Sequence, residues 1–334
     1  MTGQEIRNDS FFRVQLLRKL LTISIQYKAM CRTSRQTELP SVSVVVPFYG
    51  LDVSALTRCV ESLLNQDYPK DHVTIVIVDN NDIARLPAAM FGPRCNIFHE
   101  PLPGSYAARN RGIRESFGNV VAFTDSDCVP QRSWISAGVR SLRAAKRPVI
   151  VGGEIVFDFG NNRLQNTCKL LDSIIHHRQT EYVFSHGFAA TANLFVTRQL
   201  IATYGPFDAR FLSGGDREFG QRLSAAGVGI TLAEDAVVLH PARGRFVDLL
   251  KKNMRGAGGE RILLGLGRTF RPLDLFKIQV RNYLHRQHLI SDQAKTLGLT
   301  PYRLIKVRAL LTLIYIGRLV ESARLVLGGK PHRA

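Results

Sequence analysis

The chain has 334 residues, enough for one large core or two modest ones. It carries 45 Lys and Arg against 27 Asp and Glu, a net charge of +18. The excess sits at the ends: residues 1–40 hold 7 basic and 3 acidic side chains, residues 41–241 hold 19 of each, and residues 242–334 hold 19 and 5. A neutral middle excludes a domain that reads nucleic acid through its own basic face, and points instead to a globular unit held against something anionic.

In chain order, residues 1–40 form a basic arm whose FFRVQLLRKLLTISI run mixes apolar residues with Arg13, Arg18 and Lys19. That mixture suits an amphipathic helix at a lipid surface and breaks any signal-peptide pattern. From Ser41 the stretch SVSVVVPFYG is β-branched and stops at Pro47. Val53, Leu56, Val60, Leu63 and Leu64 then recur at helical spacing, and TIVIV over Val73 to Val78 is a second strand ending on Asp79, Asn80, Asn81 and Asp82. A right-handed crossover makes these two strands parallel neighbours. A third strand at Asn96 to Phe98 leads into PGSYAARNRGI, where Gly104 permits a tight turn and Arg109 and Arg111 are expected to open an anion-attracting helix.

Val120 to Phe123 is a buried parallel strand that stops on Asp125 and Asp127. Two carboxylates spaced i, i+2 at the carboxyl end of such a strand sit where open α/β sheets place ligands, and their repulsion favours a divalent cation; a solvated turn would carry the same pattern. No Walker A sequence or G-x-G-x-x-G follows a strand, which argues against P-loop and dinucleotide-binding domains.

VVVPFYG, SLLNQDYP, VIVDNND, PGSYAARNRGI and AFTDSDCVPQRSW, taken together in this order, resemble the nucleotide-binding half of a family 2 glycosyltransferase with the GT-A fold. The resemblance implies an α/β architecture with a Rossmann-like, mostly parallel sheet flanked by helices. It also implies a nucleotide-diphosphate sugar donor, usually a UDP-sugar, with Mn2+ or Mg2+. By position, Pro47 and Tyr49 would lie along the nucleoside and Asp79 would bond the base or ribose. Arg109 would sit near the base or diphosphate, with Asp125 at the nucleotide as well. Asp127 and Asp125 would hold the metal. Many relatives have Asp-Asp-Gly-Ser where this chain reads Asp79-Asn80-Asn81-Asp82, so the base stays open.

Residues 135–241 would then form the acceptor half of a 41–241 domain, beside a nucleotide half at 41–134. Val149 to Phe159 is a strand containing Gly152 and Gly153. Leu164 to Arg178 is helical, and His176 and His177 are expected on its polar face. Gly214-Gly215-Asp216-Arg217-Glu218 opens a helix, and capping alone would account for Asp216. Family likeness makes Asp216 the general base with Glu218 in support, and His240, ending the strand Val237 to Leu239, a third metal ligand.

Residues 242–334 form a basic helical extension for which two readings are open: contact with an anionic membrane surface, or packing on the domain. Its longest uncharged run, Ala309 to Gly317, is nine residues, where a spanning helix needs about 20. The five cysteines form no C-x-x-C pair and read as reduced thiols. The whole describes a cytoplasmic, membrane-peripheral inverting transferase acting on a saccharide or lipid-linked acceptor in cell-surface polysaccharide synthesis, with no nucleic-acid partner. The alternative is a non-catalytic binding protein on the same scaffold.

Overall fold

The computed structural model describes residues 38–160, 166–266 and 271–332. The expected amphipathic arm, residues 1–40, lies almost wholly outside the described residues. The central sheet has eight strands in the order β3-β2-β1-β4-β7-β6-β8-β5. Strands β1 (Val42–Phe48), β2 (Val73–Asp79), β3 (Cys95–His99) and β4 (Val120–Thr124) are mutually parallel. The β-branched runs of β1, β2 and β4 are buried on both faces, as a sheet covered by helices on each side requires, while β3 lies at the sheet edge. Between β1 and β2, helix α1 (Ser54–Leu64) buries Leu56, Cys59, Val60 and Leu63 at helical spacing.

The second half departs from an all-parallel sheet. Strand β7 (Asn193–Thr197) runs antiparallel to both β4 and β6 (Val149–Asp158). Strand β8 (Gly229–Pro241) is parallel to β6, and the two-residue β5 (Val129–Pro130) pairs antiparallel with β8. The expected strand at Val237 to Leu239 is thus the end of a much longer one.

Where β7 reverses the direction, Asn193 holds the layers together. Its Oδ1 accepts from Trp134 Nε1 at 2.8 Å, and its Nδ2 donates to the carbonyls of Glu154 and Ala236 at 2.8 and 2.7 Å. Trp134 opens a helix, Trp134–Ala144, and is fully buried.

Three helices follow the sheet's last strand: Phe246–Gly265, Pro272–Thr296 and Pro301–Val326. They do not stand apart from the sheet domain. Leu249, Ile290, Val307, Leu311 and Ile314 form one buried cluster with Leu170, Leu171, Ile174 and Ile175, each worth roughly 1.5–3 kcal/mol of burial. The last four lie on a short helix, Thr167–Ile175, projecting from the sheet domain. Arg318, 2% exposed, pins the bundle by donating to Gln279 Oε1, the Asn253 carbonyl and Glu260 Oε2 at 2.7–2.8 Å. Part of the basic surplus of residues 242–334 therefore turns inward. No helix among the described residues is long and apolar enough to cross a membrane.

Candidate active site

The sheet pairing builds the first cluster. Strand β4 pairs with β1 as far as Phe123↔Val45, and then the chain turns back with the Cys128 amide donating to the Asp125 carbonyl at 3.1 Å. Pairing of Val129 with Leu239 sets Cys128 beside His240. One ligand atom from each of Asp125, Asp127, Cys128 and His240 lies within 4.8 Å of all the others.

Their chemistry fits a divalent cation that prefers oxygen and tolerates imidazole. His240 is buried, and its Nδ1 lies 2.9 Å from the Pro241 carbonyl. That contact puts the proton on Nδ1 and leaves the Nε2 lone pair for a ligand. Burial holds the imidazole below its usual pKa, against the pull of Asp127, which favours the neutral ring a metal needs. Cys128 joins the cluster unforeseen. Burial and the neighbouring Asp127 and Asp125 push its thiol far above the ordinary range, so it stays a neutral, weak donor.

The second group lies along the same sheet edge. Arg109 was expected at the start of a helix, but the helix begins at Ser105, directly after Gly104, and ends at Arg114. Arg109 is therefore one turn inside it, 3% exposed, and its Nη2 donates to Asp125 Oδ1 at 2.5 Å. The guanidinium also lies 5.4 Å from the Tyr106 ring centroid.

Asp216 is the second residue of a helix spanning Gly215–Ala225, and Gly214 before it sits at φ +81°, a left-handed turn that glycine adopts without strain. Burial pushes the Asp216 carboxyl above the usual range, opposed by the Arg217 amide, Arg109 and the Tyr106 hydroxyl, while Asp125 adds to the push. Arg109 and Tyr106 thus tie Asp216 to the metal-type cluster. Glu218 does not join them: both its oxygens bind Arg222, Oε1 at 2.6 Å and Oε2 at 3.2 Å. Arg222 in turn donates to the carbonyls of Tyr204 and Pro206, so Glu218 braces a loop.

The expected nucleoside residues line the ends of β1 and β2. Pro47 pairs with Val78 in the register, Tyr49 is half exposed beyond it, and Asp79 ends β2. Asp79 Oδ1 accepts from the backbone amide and the side chain of Asn81, and Oδ2 from the amides of Arg85 and Leu86, at 2.5–3.1 Å. Burial works against its charge, but these donors outweigh it and hold the carboxyl below the usual range. With four donors already in place, Asp79 shapes the loop around 80–86. The departure from Asp-Asp-Gly-Ser has its own explanation. Asn80 donates to the carbonyls of Glu100 and Leu102 and accepts from the Gly104 amide, while Asn81 exchanges two bonds with Gly50. Both asparagines staple loops.

His176 and His177 are not on a polar helix face. The helix stops at Ile175, and both rings turn inward. His176 Nδ1 binds buried Asp172 Oδ1 at 2.6 Å. His177, at φ +49°, lays its ring 4.2 Å from that of His240 and places Nε2 3.1 Å from Lys252 Nζ. The sequence signal was the His pair itself; what it missed was the helix break that turns His177 toward the cluster and His176 onto Asp172.

A mixed sheet that carries clustered carboxylates at the end of its fourth strand, with a further carboxylate on a helix start across from them, is an arrangement of the GT-A fold. Residues 43–202 match glycosyl transferase family 2. Glycosyltransferase AglE of Haloferax volcanii is 32% identical over 296 residues, 85% of this chain and 95% of that protein. The pre-mycofactocin glycosyltransferase of Mycobacterium tuberculosis is 26% identical over 63% of this chain and 45% of its own. Among solved structures, the mannosyltransferase PcManGT of Pyrobaculum calidifontis, in complex with GDP-Man and Mn2+, superposes with a TM-score of 0.57 at 16% identity, over 92% of this chain and 97% of that one. The chain belongs to glycosyltransferase family 2.

Proposed function

We propose that the enzyme moves a sugar from a nucleotide-diphosphate donor to a hydroxyl of a saccharide or lipid-linked acceptor, by one displacement that inverts the anomeric centre. The observation that carries this is the gathering of Asp125, Asp127 and His240 at the end of β4, joined to Asp216 through Arg109. Asp127 and His240 would hold Mn2+ or Mg2+, with Asp125 oriented by Arg109. When bound, such an ion supplies charge stabilisation to the departing diphosphate. Asp216 takes the proton from the acceptor hydroxyl; its raised pKa makes it a stronger base than an ordinary carboxylate. Tyr106 and the Arg217 amide fix the carboxylate, and Tyr49 and Pro47 border the nucleoside.

Uridine is the first choice of base from the sequence pattern, and guanosine the second, since PcManGT was solved with GDP-Man. Calorimetric titration of UDP and GDP, with and without Mn2+, tests this together with an Asp125→Ala, Asp127→Ala double variant. Metal-dependent binding of one nucleotide, lost in the variant, is the expected result. Binding of neither would sink the donor site.

The peripheral-membrane reading finds support in the last helix, where Tyr302, Ile305, Leu313, Ile316 and Val320 are all exposed. Their spacing puts them on one stripe, with Lys306 and Arg303 near its start. Such a stripe would lie on the cytoplasmic leaflet with the site facing a lipid-linked acceptor. Full-length protein should co-sediment with anionic liposomes at low salt; failure to do so removes the membrane reading and leaves the donor chemistry intact.

A further inference from the structure

We infer that Lys252 and Arg255, with Arg243 beside them, form a phosphate-binding wall that the C-terminal helix Phe246–Gly265 contributes to the active site. This lies outside residues 43–202. It deepens the donor–acceptor reading above by naming residues that would meet a phosphate.

Three observations place the wall. Lys252, Arg255 and Gly259 fall at i, i+3 and i+7, one stripe of the helix about 10 Å long. Gly259 lies on the loop that carries Asp216: a Cβ there would come within 2.1 Å of the Ser213 carbonyl. The stripe therefore faces the site, with Gly259 at the base loop and the two cations one and two turns earlier.

Second, Lys252 Nζ touches His177 Nε2 at 3.1 Å, and the His177 ring lies tilted against that of His240, centroids 4.2 Å apart. This places the ammonium directly behind the candidate metal ligands. Arg243, three residues after His240, is anchored through its amide and Nη1 to Asp172 Oδ2 at 2.9 and 3.3 Å.

Third, the wall holds more positive than negative charge: Asp172 pairs with Arg243 and acts on Lys252 as well. Arg255 makes no hydrogen bond or ion pair among the described residues, and burial and neighbouring Arg243 lower its pKa, with Tyr106 and Asp125 opposing. Burial likewise pushes the Lys252 ammonium down to about 7, with Arg243 adding to the push and Asp172 and Asp125 opposing it. Three crowded cations with one buried carboxylate shared between two of them are a site prepared for an anion. Three cations converge here, and a phosphate offers several acceptor oxygens for them to share. That phosphate belongs either to the donor's diphosphate or to a phosphate on the acceptor.

The test is calorimetry on the full chain with Mn2+, using inorganic pyrophosphate, UDP, GDP and dodecyl phosphate. The proteins are wild type, Lys252→Gln, Arg255→Gln and the charge-keeping Arg255→Lys. Both Gln variants should bind pyrophosphate about tenfold or more weakly; Arg255→Gln, which breaks no hydrogen bond or ion pair, should keep Mn2+ affinity and melting temperature near wild type, and Arg255→Lys should recover part of the loss. Parallel weakening of UDP or GDP alone assigns the wall to the donor; weakening of dodecyl phosphate alone assigns it to the acceptor. The inference is overturned if the Gln variants bind every phosphate within twofold of wild type, or if wild type binds none. Pyrophosphate binding without UDP or GDP binding would remove the donor reading while leaving the wall in place.

Discussion

Arg109 and Asp125 form an ion pair at 2.5 Å in which the arginine is 3% exposed and the aspartate about one-third exposed. The pair divides the two carboxylates of the Asp-x-Asp motif: Asp125 is held by Arg109, and in the proposed reaction Asp127 is the one that would take the cation. It also lets one guanidinium act on both Asp125 and Asp216.

Arg109→Ala should therefore weaken Mn2+ affinity and slow turnover together, each by about 10- to 100-fold, because Asp125 loses its ion-pair partner and Asp216 a neighbouring positive charge. Mn2+ titration followed by electron paramagnetic resonance, alongside initial rates, checks this. A variant with normal Mn2+ affinity would show that Asp125 needs no orienting.

Asp216→Asn should lower kcat by about 100- to 10,000-fold with nucleotide affinity unchanged. The pH profile carries the sign. Because the folded carboxyl is raised above its usual value, the base is protonated and activity falls as pH drops through that raised value. The acidic limb of kcat should thus lie above the range of an ordinary carboxylate, and an acidic limb within that range would remove Asp216 as the base.

Glu218→Gln should behave differently. It loosens Arg222 and the Tyr204–Pro206 loop, costing about 1 kcal/mol, while turnover per folded molecule stays within a few-fold of wild type. A large kcat loss at unchanged melting temperature would return Glu218 to the chemistry.

Asp172 is fully buried and accepts from His176, the Arg243 amide and the Arg243 guanidinium. Asp172→Asn should cost about 3–5 kcal/mol by stranding buried cations. Burial raises the Asp172 pKa, but Lys252, His176 and Arg243 together outweigh it and hold the carboxyl far below its unfolded value. Its contribution is present at neutral pH and is lost as pH falls below the unfolded carboxylate value toward the folded one. Chemical denaturation at pH 7 and at about pH 3, below the unfolded carboxylate value, should show a smaller pH effect in the variant than in wild type.

The nucleotide half was legible because its signals are local. β-Branched runs ending on Asp79 and Asp125 read as buried strands by composition alone, and Gly214-Gly215-Asp216 announced a turn onto a helix. What stayed hidden depends on distant pairing. Nothing near Asn193 reveals that β7 runs against its neighbours, since the asparagine's partners, Trp134, Glu154 and Ala236, are 39 to 59 residues away. His240 was visible as a strand-end histidine, but Cys128 reaches it only through the Val129↔Leu239 pairing. The inward turn of His177 depends on the helix ending at Ile175, and the inward charge of Lys252 was masked by the net basicity of residues 242–334.

The contact of Gly259 with the Ser213 carbonyl bears on how this chain can be cut and recombined. A fragment ending after Pro241 would look like a complete catalytic unit, yet it would leave the loop before Asp216 without its backing and Asp172 without Lys252 and Arg243. In a chimaera, the last helices must come from the same parent as the 213–216 loop, because any side chain larger than hydrogen at the crossing would move one against the other. The tail and the base are inherited as a pair.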